Sequence, residues 1–447
     1  MAARSGCGSV FSMSAAFDPA AVRRHFPGLL RRIGSEQALF LDGPAGSQVP
    51  RAVADAMAEY LLHHNANHGG PFATSRETDA MVERARGAFA DLFGAASGDE
   101  VVFGPNMTTL TFQLSRVLAR TWQRGDVVVV TDSDHDANVT PWVLAARDAG
   151  AEVRAVPVRG DGTLDLAAYE RLLSPRCKLV AVGAASNLTG TIHDVAAIAR
   201  AAHRHGALVF VDAVHFAAHC RMDVAAWDCD FAVCSAYKFF GPHLGALWGR
   251  AALLGSLEAY KVRPAAAHGP EKWQTGTACF EAIAGALAAI DYLAQVGRDQ
   301  GGSDTEDCDT GDWDTGDWGN RRACLDVAFR AIGAHERTLC GRLLDALQPL
   351  PLRIVGITDR TRLRERCATV SFVPARETPS QLCAALAERG IFTWAGNSYA
   401  VALTQALGLE PDGVLRAGLL HYHTAAEVDR FAAALAARFA CAPTPNP

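Results

Sequence analysis

The stretch CDFAVCSAYKFFGP, residues 229–242, shows where this chain is expected to place its chemistry. The apolar run 230–236 predicts a buried strand that ends at Ser235, and Lys238 follows three residues later beside Tyr237 and two phenylalanines. Such surroundings desolvate an amine, lower its pKa and make it a nucleophile toward an aldehyde. The alternative is an ordinary lysine that extends into solvent at a strand end. The only other lysines are Lys178, Lys261 and Lys272, so few amines compete for this role.

Further apolar strands flank this stretch and alternate with helical segments. The strands are predicted at 100–104, 126–132, 178–186 and 207–213, and the helices near 109–120, 141–149 and 195–205. Continuous apolar strands separated by amphipathic helices predict an α/β fold whose mostly parallel sheet is covered by helices. Ligands bind beyond the carboxyl ends of the strands in such sheets, so the polar residues that follow each strand are the candidates for a site.

The pattern changes after residue 323 to a long helix, 323–348, followed by short strands and helices. We expect four parts: an N-terminal arm 1–35, a large domain 36–297, an acidic low-complexity insertion 298–322 and a small α+β domain 323–447. A capping box, Thr424 and Glu427, is expected to open the last helix. The insertion repeats DTGDW at 309–313 and 314–318, which indicates an acidic surface segment. A calcium-binding loop is the alternative, although EF-hand spacing and the closing glutamate are missing.

The composition excludes several classes of protein. The 42 basic and 48 acidic residues give a net charge of −6, so no nucleic-acid partner is expected. No uninterrupted apolar run approaches the roughly 18 residues of a membrane span, and the N-terminus lacks the apolar core of a secretory signal. A cytoplasmic protein is expected. For the N-terminal residues, the alternatives are a short mitochondrial-type leader or a true start of the protein at Met13. The twelve cysteines form no CxxC pair and no zinc-type cluster, so we expect reduced thiols and no metal site.

Polar residues at the predicted strand ends carry the candidate chemistry. Asp212 ends the run 207–213, where a carboxylate can keep a cofactor ring nitrogen protonated or can simply cap a helix. His135 follows the predicted strand 126–132 and closes the segment VVVVTDSDH. It can stack on a planar group or act as an acid or base, unless it is an ordinary turn histidine. Asn187 follows 178–186 and can donate to a phenolate oxygen. The segment 103–112 is a strand, a turn and a helix start, which suits a phosphate.

The order of these pieces, with Ser-x-x-Lys preceded by Asp-x-x-His, resembles the class V aminotransferase superfamily. This superfamily includes cysteine desulfurases, selenocysteine lyases and isopenicillin N epimerase-like proteins. The resemblance extends from FLDGPAG, 40–46, to HYHTAAEVDRF, 421–431, which is nearly the whole chain. It implies fold type I of the enzymes that use pyridoxal 5'-phosphate, a small-molecule substrate that is an amino acid, and a homodimer.

The resemblance also implies a role for individual residues. Lys238 would form the imine with the cofactor, Asp212 would pair with its ring nitrogen, and His135 would stack on its ring. Asn187 and His215 would contact the ring oxygen, although the family often has glutamine at the second position. The cofactor phosphate would be bound by Met107, Thr108, Ser235 and Tyr237, and Thr277 would bind the phosphate of the neighbouring subunit. Arg416 would bind the substrate carboxylate. The active-site entrance would be formed by Asn65, Asn67 and His68.

The chain departs from the desulfurase pattern in one loop. The stretch GIFTWAGNSYAVAL, 390–403, has Tyr399 where desulfurases carry the sulfur-accepting cysteine, and Trp394 where a second substrate arginine often occurs. The resemblance therefore implies a cysteine desulfurase-like or β-eliminating C–S lyase without the usual thiol. An aminotransferase or amino-acid epimerase is the alternative, and a non-catalytic binding protein of the same fold is a lesser one.

Overall fold

The computed structural model describes residues 17–301 and 320–441 of the chain. The helices are α1 Pro19–Arg23, α2 Arg51–Glu59, α3 Ala73–Phe93, α4 Met107–Ala119, α5 Thr140–Ala149, α6 Leu166–Leu172, α7 Val195–His203, α8 Val224–Trp227, α9 Ala251–Ser256, α10 Phe280–Gly301, α11 Arg321–Leu347, α12 Pro379–Glu388, α13 Val401–Ala406 and α14 Ala425–Cys441. The strands are β1 Arg32–Ile33, β2 Glu36–Gln37, β3 Leu39–Phe40, β4 Val101–Gly104, β5 Val127–Thr131, β6 Glu152–Val156, β7 Cys177–Gly183, β8 Leu208–Asp212, β9 Phe231–Ser235, β10 Gly245–Gly249, β11 Leu352–Val355, β12 Thr369–Pro374, β13 Ile391–Phe392, β14 Trp394–Gly396 and β15 Val414–Gly418.

A seven-stranded sheet forms the centre of the large domain, in the order β4-β10-β9-β8-β7-β5-β6. Strand β10 runs antiparallel to both of its neighbours, and the other pairs are parallel. Along β5, Val127 and Val129 face one apolar core while Val128 and Val130 face another. Both faces of the sheet are therefore covered, and the predicted α/β fold with a mostly parallel sheet is confirmed.

A four-stranded antiparallel sheet, in the order β11-β12-β15-β14, forms the smaller unit with α11, α12 and α14. The expected capping box is present, because the Glu427 amide donates to Thr424 Oγ1 at 3.2 Å and the Thr424 amide donates to Glu427 at 2.9 Å. Residues near the N-terminus also belong to this unit. Leu39 and Leu41 are buried in its core, and β3 pairs with β13. The segment 39–41, expected in the large domain, thus lies between the two cores: Leu39 and Leu41 pack in the small unit and Phe40 packs in the large one.

Helices α10 and α11 pack together on either side of the acidic insertion. Residues 298–301 continue α10, where Gln295 Nε2 donates to Asp299 Oδ1 at 2.6 Å, and Arg321 opens α11. The helical ends therefore extend into the predicted insertion 298–322, while its repeat lies outside the described residues. By length and composition alone α10 could cross a membrane, but 72% of its most apolar window is buried inside the protein. This is the behaviour of a core helix.

Candidate active site

The carboxyl ends of the parallel strands open into a cavity of about 940 Å³ between the large and small domains. Loops from both domains close it: the segment after Pro44 and the ends of β7, β8 and β9 form one side, and β14 with the loop after it forms the other. Nine of the candidate residues line this cavity together, namely Met107, Thr108, His135, Asn187, Asp212, His215, Ser235, Tyr237 and Lys238, as does the substrate candidate Arg416. Widely separated sequence positions thus meet at the predicted edge of the sheet.

Lys238 projects into the cavity from the short turn that follows β9. Its Nζ donates to the Pro44 carbonyl oxygen at 2.5 Å and lies 4.9 Å from the centre of the Tyr237 ring. Burial, reinforced by the positive charge of Arg416, lowers the pKa of this amine to about 7, whereas Asp212 acts in the opposite direction. A substantial fraction of the amine is therefore neutral at physiological pH, as a nucleophilic lysine requires.

Two buried carboxyl groups lie at the floor of the cavity. Asp212 ends β8, accepts a hydrogen bond from the Val214 amide at 2.8 Å, and has its pKa raised to about 6 by burial. Asp134 accepts from the Gly183 amide at 2.7 Å and from Asn138 at 3.2 Å. Its pKa is raised well above the usual value, first by burial and then by the charge of Asp212. Asp134 therefore holds two strand-end loops in place while Asp212 faces the cavity.

His135 is fixed as a neutral imidazole on the wall of the cavity. Its Nδ1 accepts a hydrogen bond from the Ala137 amide at 3.0 Å, so the ring proton is on Nε2. Burial, with smaller contributions from Lys238 and Arg416, lowers its pKa to about 4. The Tyr399 ring stacks on this imidazole, with centroids 5.3 Å apart and planes inclined by 22°.

Arg416 is buried at the inner end of the cavity, on β15. One guanidinium nitrogen donates to the Asn187 carbonyl oxygen at 2.8 Å. Burial lowers its pKa to about 10, and Asp42 acts to raise it. Three buried polar atoms here lack a hydrogen-bond partner: Arg416 Nε, Asn187 Oδ1 and Asp42 Oδ1. Since buried polar atoms are nearly always paired, this group is suited to a polar ligand.

His215 joins the cavity to a buried polar network that links the two domains. Its Nε2 lies 3.1 Å from Thr369 Oγ1, and its ring lies 5.1 Å from that of His219. His219 Nδ1 contacts Glu336 Oε2 at 2.7 Å. Cys367 completes a group of three possible metal ligands with the two histidines, whose donor atoms lie within 4.8 Å of one another. His215 and His219 each use one ring nitrogen in a hydrogen bond to the protein.

The start of α4 forms the end of the cavity beside Ser235. The Met107 amide donates to Ser235 Oγ at 3.0 Å, so this amide is already paired, while Thr108 and Thr109 line the cavity beside it. Asn106 caps the helix by accepting from the Thr109 amide at 2.9 Å. Tyr237 stacks on His243, with ring centroids 5.0 Å apart. The hydroxyl groups of Thr108, Thr109 and Ser235 lie at the positive end of the α4 dipole, which suits an anion.

The predicted entrance residues do not line the cavity within one chain. Asn65, Asn67 and His68 are exposed at the end of α2, where His68 lies near Asp79 and Phe280. Thr277 is also exposed and lies outside the cavity. Its role was predicted for a neighbouring subunit, and that expectation remains a prediction.

Sequence reasoning missed several residues that the structure places at the site. Asp134 directly precedes His135 at the same strand end, and this position was the available signal for it. Asp42 belongs to the FLDGPAG segment and acts on the pKa of Arg416, a contact that no local pattern indicates. Phe112, at the end of the segment 103–112, and His243, just after the segment 229–242, also line the cavity.

Comparison with known proteins agrees with this geometry. The family described as aminotransferase class-V matches residues 39–306 and 322–431. A probable cysteine desulfurase of Vibrio cholerae is 30% identical over 433 residues, 93% of this chain and 97% of that protein. A probable cysteine desulfurase of Streptomyces coelicolor is 32% identical over 92% of this chain and 95% of that protein. The chain therefore belongs to the class-V aminotransferase family.

Among proteins of known structure, cysteine desulfurases resemble this chain. The structure of a cysteine desulfurase from Thermococcus onnurineus superposes with a TM-score of 0.80 at 25% identity, covering 96% of this chain and all of the other. The cysteine desulfurase CsdA of Escherichia coli gives a TM-score of 0.78 at 26% identity, with coverages of 94% and 98%. The chain is thus cysteine desulfurase-like in both sequence and fold.

Proposed function

We propose that the cavity binds pyridoxal 5'-phosphate, held covalently by Lys238, and that the protein acts on an α-amino acid as a desulfurase-like or β-eliminating C–S lyase. The observation that carries this proposal is the placement of a lysine with a pKa of about 7 beside a buried aspartate, a neutral histidine and a buried arginine. When bound, the cofactor supplies an electron sink for bond cleavage at the substrate's Cα and Cβ.

The residues present fit that group. The hydroxyl-rich start of α4 with Ser235 offers donors to a phosphate, and Asp212 at the floor offers a carboxylate to a ring nitrogen. The unpaired Asn187 Oδ1 and Arg416 Nε mark a place where polar ligand atoms are expected. Tyr399 stacks on the neutral ring of His135, so a planar group can stack on the face of the imidazole that Tyr399 leaves uncovered.

Arg416 and Lys238 have different proposed roles in this reaction. Arg416 binds the substrate carboxylate through a charge-assisted pair, which orients the Cα–H bond. Lys238 would hold the proton taken from the substrate's Cα and return it. No cysteine is among the residues that line the cavity in the described part of the chain. The leaving group therefore departs to solvent or to a small molecule and is not taken up by a loop thiol.

Aminotransferase or epimerase activity is the second candidate, because Lys238 can also return the proton to a different atom or face. A non-catalytic binding role is a lesser alternative. The homodimer, in which Thr277 reaches the partner's phosphate, belongs to the same proposal, as does a cytoplasmic location without nucleic-acid or membrane partners.

The test is the visible absorption of the full chain with added pyridoxal phosphate while amino acids, L-cysteine included, are supplied one at a time. A lyase gives absorption that recovers as sulfide, pyruvate or alanine accumulates. Stable conversion to the pyridoxamine form assigns an aminotransferase instead. Lys238→Ala is expected to abolish the colour, and Lys261→Ala, which removes an exposed lysine outside the cavity, is the matched control. Absence of a coloured species in the unmodified protein overturns the proposal.

A further inference from the structure

Two large aromatic side chains lie open to solvent at the outer end of the cavity. Trp394 is 51% exposed and Tyr399 is 70% exposed, and both line the cavity wall. Exposed rings grouped at the edge of a concave site are typical of surfaces that bind a ligand, because the ligand covers them. The inner end already has enough polar groups for a cofactor and a carboxylate, so these rings face the remaining part of a substrate.

The loop that carries Tyr399 is held in one conformation. Ser398 and Tyr399 have φ angles of 51° and 60°, in the left-handed region that residues other than glycine seldom adopt. Hydrogen bonds compensate for this strain: Asn187 Nδ2 donates to the Ser398 carbonyl oxygen, and the Asp136 amide donates to that of Tyr399, both at 2.8 Å. Strained backbone that is fixed in this way clusters at ligand sites. The Tyr399 ring is therefore a positioned wall of the cavity.

The same part of the cavity offers no countercharge to an acidic substrate side chain. Among the described residues that line the cavity, the lysine and arginine side chains are Lys238 and Arg416, and both belong to the inner end. The outer loop residues are neutral, namely Ala395, Gly396, Asn397 and Ser398 with the two aromatic rings. A second carboxylate placed against the two rings loses part of its hydration and gains no countercharge, which is unfavourable.

We infer that Trp394 and Tyr399 form a subsite for an uncharged, apolar or aromatic group attached to the substrate's Cβ, such as the thioether substituent of an S-alkyl or S-aryl cysteine. This inference rests on the proposed function, because it assumes that the inner end holds the cofactor and the amino-acid carboxylate. Covering one such ring by an apolar group is expected to favour binding by roughly tenfold or more.

The test measures binding of amino acids to the cofactor-loaded full chain through the change in visible absorption. The ligands are S-benzyl-L-cysteine, S-carboxymethyl-L-cysteine and L-alanine. We expect S-benzyl-L-cysteine to bind at least about tenfold more tightly than S-carboxymethyl-L-cysteine. Trp394→Ala and Tyr399→Ala should each reduce this preference, and Trp394→Ala should leave the apparent Kd for L-alanine within about twofold. Tyr260→Ala, which removes a half-exposed tyrosine outside the cavity, should leave all three values unchanged.

Each other outcome has a defined meaning. Equal affinity for the benzyl and carboxymethyl ligands, or a preference that survives both substitutions, overturns the subsite while the response to L-alanine leaves the proposed function standing. A protein that shows no cofactor absorption and no response to any amino acid overturns the proposed function and the subsite with it.

Discussion

The aromatic ring of Tyr399 stacks on the imidazole of His135, with 5.3 Å between centroids. His135 is the residue expected to stack on the cofactor, and the family resemblance predicts that Tyr399 stands where desulfurases carry their sulfur-accepting cysteine. Tyr399 therefore lies where the outer loop of the cavity meets His135. This contact makes position 399 a decisive site for the chemistry of the chain.

Tyr399→Cys is expected to gain a protein persulfide when L-cysteine is supplied, whereas the unmodified protein forms none in the segment 390–403. The reason is that a thiolate placed beside His135 can attack the substrate sulfur as the Cβ–S bond breaks, with alanine as the product. Mass spectrometry of alkylated peptides measures it. A persulfide on the unmodified protein would contradict the argument from the missing thiol, and Tyr260→Cys controls for nonspecific uptake of sulfur.

The reaction of the cofactor-free protein with pyridoxal phosphate should speed up as pH rises through about 7, the pKa of Lys238, and then level off. An exposed lysine would instead titrate near pH 10.4. Arg416→Gln removes a positive charge that lowers this pKa, so the midpoint should move to higher pH. Stopped-flow absorbance across this pH range measures both midpoints. An unchanged midpoint in the variant would show that Arg416 does not act on the amine.

Asp212→Asn should lower catalytic turnover by roughly 10- to 100-fold, the scale expected when a buried charge-assisted hydrogen bond is lost. The substitution keeps the shape of the side chain but removes the carboxylate at the cavity floor. Steady-state kinetics with the best amino acid from the absorption panel provides the measurement. Asp148→Asn changes an exposed carboxylate outside the cavity and should have no effect. Turnover that is preserved in Asp212→Asn would remove this residue from the mechanism.

Glu336→Ala should destabilise the protein by ~3–5 kcal/mol, because it leaves the buried His219 without its partner at 2.7 Å. The pKa of His219 is raised by Glu336 although burial opposes it, so the ring loses its compensation when the carboxyl group is removed. Urea unfolding at neutral pH gives the difference in free energy. Glu170→Ala, at an exposed ion pair, should change stability by less than about 1 kcal/mol. A similar small effect at Glu336 would show that the network is not important for stability.

Much of this site follows from strand ends that can be read in the sequence. Asp212 and Lys238 were predicted because they follow continuous apolar runs, and parallel strands bring those ends to one edge of the sheet. Arg416 was placed through the family resemblance, since its contact with Asn187 joins two domains over 229 positions of sequence. Such a pairing leaves no periodic pattern in the chain.

Other features depend on packing that a linear pattern does not encode. The sequence predicts residues 39–41 in the large domain, yet β3 pairs with β13, and Leu39 and Leu41 are buried in the core of the small unit while Phe40 is buried in the large one. The network of His215, His219 and Cys367 joins residues about 150 positions apart, so no spacing rule detects it. Asp134 was missed because its neighbours Asp132 and Ser133 give the segment the appearance of an ordinary polar turn.

The central claim is that Lys238 is the attachment point of pyridoxal phosphate. The most direct measurement is borohydride reduction of the cofactor-loaded protein, which fixes a lysine-bound pyridoxal as a stable secondary amine, followed by peptide mass spectrometry. We predict that the phosphopyridoxyl group is found on the peptide that contains Lys238. Modification confined to Lys178, Lys261 or Lys272, or no modified lysine at all, would contradict this account.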